Sequence, residues 1–113
     1  MAIIFDTPAV WNPKFGLSAH LISTLYGFEG SQELRRFAAK LGLKKEWLQK
    51  PGHPVHEHYD LKGEKKIAKA LELGAKQVSR AELVGVFNQK RATLQANQEA
   101  AAKSALSLVP EPV

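Results

Sequence analysis

Leu34, Phe37, Ala38 and Leu41 recur at the three- and four-residue spacing of one helical face, and Gly42 closes the run. Glu33, Arg35, Arg36 and Lys40 fill the opposite face. A helix that is apolar on one side must bury that side against another layer, so the rest of the chain has to supply one. Ser31 is the expected N-cap.

The segments before it read as strands. Ala2-Ile3-Ile4-Phe5 is short and rich in β-branched residues, and it stops at Asp6 ahead of Thr7-Pro8. Residues 17–24 alternate, with Leu17, Ala19 and Leu21 in one phase and Ser18, His20 and Ile22 in the other. Between them, residues 10–16 carry Trp11, Pro13 and Gly16 and read as a loop. After the helix, 44–49 reads as a short turn around Trp47 and Leu48. The turn-rich stretch from Lys50 to Pro54 then leads into 55–61, which is a strand or a loop. A second helix over 62–73 is expected to bury Ile67, Ala68, Ala70 and Leu71, and Gln77-Val78 to form a brief strand. Ser79 and Glu82 form a capping box with Val78 and Leu83 as its hydrophobic staple, opening a third helix. A helix from Arg80 to about Leu108 would run roughly 40 Å, more than a domain of this size can cover. Its Ala-rich end must therefore pack on a partner, protrude or fray. The order predicts an α/β fold: a small mixed sheet of three or four strands packed by about three helices, with a long C-terminal helix. Residues 1–91 are the expected domain and 92–113 a helical extension and tail.

Composition narrows the chemistry. With 113 residues, 44% apolar and 24% charged, the chain is long and apolar enough to bury a core. It has no cysteine, which removes disulfides and thiol chemistry and leaves any metal to histidine and carboxylate ligands. No stretch reaches the roughly 20 apolar residues that span a bilayer, and the start lacks the basic region of a signal peptide. No membrane partner is expected, and the expected location is the cytoplasm. A net charge of +5 and a pI near 9.6 permit a polyanionic partner, although no recognition helix or aromatic–basic interleaving is visible.

Chemistry concentrates at His58-Tyr59-Asp60. In an extended segment His58 and Asp60 project to one side, and His56 lies in phase with them. The alternative is that Asp60 caps the next helix while His58 bonds a backbone carbonyl. His56-x-His58-x-Asp60 has the ligand spacing of some metallohydrolases, which would favour Zn or Mn, but Leu61 stands where such a motif continues with histidine. No cofactor is otherwise called for. Lys62-Gly63-Glu64-Lys65-Lys66 opens a helix, where free amides and lysines attract phosphate; a solvated charged face is the plainer reading.

Phe5-Asp6, Trp11, Gly16, Ala19-His20-Leu21, Glu33-Leu34, Phe37-Ala38 and Leu41-Gly42-Leu43 come in a familiar order, followed by Trp47, Gln49, His58-Tyr59-Asp60-Leu61, Gly74-Ala75 and Val78-Ser79. In these the chain resembles the family known as domain of unknown function 4031, small proteins of bacteria and their phages. The resemblance covers about residues 3–86 and implies that Asp6, His20, Gln49, His58, Tyr59 and Asp60 hold motif positions. It brings no established activity. Ala19 stands where that family often has cysteine and Arg35 where it often has histidine, while His53 and His56 lie in a variable stretch. The expected function is recognition of a phosphate-bearing ligand, a nucleotide or nucleic acid, with hydrolytic phosphoester chemistry open to it. His20, His58, Tyr59, Asp60 and Asp6 are the expected catalytic set, and Gln49, Lys62 and Lys65 the expected ligand-binding set. The alternative is a non-catalytic interaction protein, a homodimer or a phage factor bound to a host protein, using the C-terminal helix.

Overall fold

Strand β3 (Gly16–Ser23) organises the sheet, because three other strands pair with it antiparallel: β1 (Ile3–Phe5), β2 (Ala9–Asn12) and β4 (Tyr59–Lys62). The computed structural model describes residues 2–107. β2 pairs with the start of β3 (Ala9↔Ser18) and β1 with its end (Phe5↔Leu21). Asp6-Thr7-Pro8 falls between those two ladders. There the Asp6 carboxylate accepts the backbone N–H of His20 at 2.7 Å, in a gap the proline turn leaves open. β5 (Lys76–Gln77) runs parallel to β1, which makes the five-stranded sheet mixed.

β2 lies where the sequence reads as a loop. It is mostly exposed, so it carries no apolar alternation, and a bulge between Val10 and Asn12 blurs its period further. The turn that joins it to β3 uses Gly16 at φ 67°.

Helices cover the sheet on two sides. Ile3, Phe5, Ala19, Leu21, Tyr59 and Leu61 point to one face and pack with Leu34, Phe37, Ala38 and Leu41 of α1 (Phe28–Leu41) and Ile67 and Ala70 of α2 (Glu64–Glu72). The residues of opposite phase, Ile4 and Ile22, pack with Val78, Leu83, Val86 and Phe87 at the start of α3 (Arg80–Ser107). This second cluster is small, so α3 covers only part of that face, and His20 and Asp60 lie on the remainder.

Several boundaries differ from expectation for local reasons. α1 begins three residues before Ser31, with Gly27 at its N-cap, and Ser31 instead donates its N–H to the Gly27 carbonyl inside the first turn. Gly42 ends the helix in the left-handed conformation as expected. α2 buries Ile67 and Ala70 while Ala68 and Leu71 are exposed, because a nine-residue helix meets the sheet along one narrow stripe. The 55–61 segment resolves into turns followed by β4. At the head of α3, Ser79 Oγ accepts the Glu82 N–H at 3.1 Å, and Val78 and Leu83 share a cluster, the geometry of a cap with its staple. The 28 residues of α3 span about 42 Å, and every residue from Gln95 to Ser104 is exposed. Among the described residues no helix is long and apolar enough to cross a membrane.

Candidate functional site

His20 on β3 and Asp60 on β4 are direct cross-strand partners, so their side chains leave the sheet side by side on the partly covered face. His58, two residues before Asp60, stays in phase with it through a backbone bridge to Gln49. The His20 and His58 rings stand 5.5 Å apart, edge to face. His58 Nε2 lies 3.6 Å from Asp60 Oδ1. One ligand-type atom from each of His20, His58 and Asp60 falls within 4.8 Å of the others, a group that could hold a metal ion.

Each ring is oriented from behind. Asp6 is only 1% exposed, and its two oxygens accept the His20 backbone N–H and the His20 Nδ1–H, the latter at 2.9 Å. His58 Nδ1–H donates to the His56 carbonyl at 2.8 Å. Each imidazole thus uses Nδ1 on the group behind it, which leaves Nε2 as the nitrogen available to a ligand. Asp60 Oδ2 accepts from the Gln49 side-chain amide, leaving Oδ1 toward His58. Asp60 is not a helix cap: Gly63 takes that position in α2, with no side-chain cap.

Two cavities flank the cluster. The first, about 260 Å³, has Asp6, His20 and His58 in its wall together with Trp11, Lys50, His56, Arg80 and Phe87. Arg80 lies over the Trp11 ring at 4.0 Å, its Nε 3.9 Å from Asp6 Oδ2, and Trp11 meets the His20 ring edge-on at 5.7 Å. Lys50 adopts φ 50°, the one non-glycine residue with positive φ among those described, and a strained backbone of this kind is often found at ligand sites. Burial first, and then chiefly the nearby Arg91 guanidinium, lowers His56 below its ordinary 6.5. The second cavity, about 480 Å³, lies on the Asp60 side and is lined by Phe15, Trp47, Gln49, Asp60, Lys62 and Lys66 among others. The Lys62 ammonium stands 4.2 Å from the centre of the Phe15 ring there.

Of the residues expected at a site, His20, His58, Asp60, Asp6 and Gln49 come together. Tyr59 does not. It alternates with Asp60 along β4, points into the core at 3% exposure, and burial raises its phenol above the ordinary 10.0. Lys62 lines the second cavity only. Lys65 is exposed on α2, and Lys66 takes the place beside Lys62, where it also donates to the Leu41 carbonyl at 2.6 Å. Lys50 and Arg80, the cations that line the cavity with His20 and His58, carry no local sequence signal. They reach the site through β1–β5 pairing and the 49–58 bridge.

A family model described as a protein of unknown function (DUF4031) matches residues 4–90. No curated protein and no solved structure gives a significant match to the chain.

Proposed function

The chain belongs to the DUF4031 family, and we propose that its His20–His58–Asp60 cluster binds a phosphate-bearing ligand and activates a water against a phosphoester. One observation carries this reading: a ring nitrogen from each of His20 and His58 and a carboxylate oxygen of Asp60 fall within 4.8 Å of one another, beside a cavity lined by Lys50 and Arg80. The converging acceptors are suited to hold and polarise a water. The two cations are suited to hold phosphate oxygens and to offset charge developing on them during attack. The larger cavity beyond Asp60, with the exposed rings of Phe15 and Trp47 and the ammonium of Lys62, suits a nucleobase or another flat ring. A nucleotide or a nucleic-acid end fits both halves.

The test is a screen of nucleotides and short oligonucleotides at low salt. Binding is expected to weaken as salt rises, and Lys50→Ala and Arg80→Ala are each expected to weaken it about tenfold, as loss of a charge-assisted hydrogen bond does. Binding that is indifferent to salt and to both substitutions would remove the phosphate reading.

A second reading concerns α3. We propose that the exposed Gln95–Ser104 stretch is a contact surface for another chain, most simply a second copy of this one. Alanine-rich helices of this length are marginal alone in water, so a partner supplies the missing stabilisation. Sedimentation is expected to give a dimer, and deletion of 95–113 a folded monomer. A monomer whose 95–104 amides are strongly protected from exchange would contradict it.

A further inference from the structure

Building on the site proposed above, we infer that His20, His58 and Asp60 hold a divalent first-row transition-metal ion through His20 Nε2, His58 Nε2 and Asp60 Oδ1. The strongest ground is the contact between His58 and Asp60. His58 spends its Nδ1 proton on the His56 carbonyl, which leaves Nε2 as its ligand nitrogen, 3.6 Å from a carboxylate oxygen of Asp60. A second proton on His58 or a metal ion would bring these two atoms into favourable contact.

The remaining geometry selects the metal. Ligand atoms around a tetrahedral zinc, bonded at about 2.0–2.1 Å, stand roughly 3.3 Å from one another. The His58–Asp60 distance is already close to that, and the widest separation in the group is within 4.8 Å. Each ligand also has the backing a metal site needs: Asp6 behind His20, the His56 carbonyl behind His58, and Gln49 on the second oxygen of Asp60. A proton on His58 would explain one contact. It would not explain why His20, held by a buried carboxylate, stands in the same three-residue group. Two imidazoles and one carboxylate leave a coordination position open, and the cavity lined by Lys50 and Arg80 adjoins it. That is the ligand count of a catalytic centre, with room for water or a phosphate oxygen. Nitrogen donors favour zinc, iron(II), cobalt or manganese over magnesium and calcium.

The experiment is calorimetric titration of the chelator-stripped full chain with Zn²⁺ and with Mg²⁺, in phosphate-free buffer. One zinc per chain is expected, with no measurable magnesium binding. His58→Gln and Asp60→Asn are expected to lower zinc affinity at least 100-fold, and Gln49→Ala about 10–100-fold through the ligand it orients. His53→Ala is expected to change nothing. Histidine ring ¹⁵N shifts in the unmutated chain give a readout free of folding effects: zinc should move His20 and His58 Nε2 and leave His53 in place. No zinc uptake, or uptake that persists in His58→Gln and Asp60→Asn, would overturn the inference. So would zinc shifts confined to His53 and His56. Phosphate binding by the metal-free chain, read through Lys50 and Arg80, is a separate measurement, so failure of either is recognised without the other.

Discussion

Replacing Asp6 with alanine is expected to destabilise the domain by about 2–4 kcal/mol, the scale for stranding donors around a deleted buried acceptor. The side chain is 1% exposed and lies between the two ladders of β3, where it takes both the backbone N–H and the ring N–H of His20. Alanine leaves the backbone donor unpaired in a part-buried position and frees the ring. Denaturation in urea is expected to show the midpoint falling by about 1–2 M, given the usual slope for a domain of this size. Asp6→Asn separates the two roles. Asparagine keeps the volume and one acceptor, so most of the stability survives. Its amide turned toward His20 Nδ1 presents a donor where the carboxylate accepted, which forces the ring proton onto Nε2 and removes the lone pair from the site. An Asp6→Ala chain as stable as the parent would show that the proline gap does not depend on this carboxylate.

Replacing His58 with alanine is expected to lower phosphoester turnover by about 10²–10⁴-fold, the range for removing a group that acts on the proton or the nucleophile. The ring is partly exposed and packs on the outer face of the sheet, so its loss leaves the core beneath unchanged. His20→Ala is expected to fall in the same range, and the double variant to be little worse than either single one, since the proposal has both rings act on one water. Tyr59→Phe is the control. The phenol faces the core, so turnover is expected to stay within a few-fold of the parent. A Tyr59→Phe chain that loses turnover while His58→Ala retains it would move the site off this face.

How legible the molecule was depends on whether the signal was local. The alternation of Leu17, Ala19 and Leu21 against His20 and Ile22 placed β3 and sorted its two faces correctly, and the same rule applied to His58 and Asp60. It also places Tyr59 on the inner face. The motif's adjacency argued against the pleat there, and the pleat decided. Gly42 and Ser79 announced a helix end and a helix start because capping is chemistry between near neighbours. β2 had no such signal, being an exposed strand with a bulge. The pairing of His20 with Asp60 joins residues 40 positions apart through strand register, which no window along the chain contains. Arg80 reaches Asp6 in the same way, from the first turn of α3 to the end of β1. Local pattern therefore yielded the layers and the shared phase of His58 and Asp60, and the placing of Lys50 and Arg80 beside them came only with the register.

Hydrolysis in ¹⁸O-labelled water tests the central claim most directly. The zinc-supplemented full chain is incubated with a panel of nucleoside phosphates and a small activated phosphomonoester, and the released inorganic phosphate is weighed by mass spectrometry. Attack of a cluster-held water on phosphorus predicts one ¹⁸O per phosphate released, at a rate that collapses in His58→Ala and survives in Tyr59→Phe. No release by a folded, zinc-loaded chain, or labelled release undiminished in His58→Ala, would contradict it.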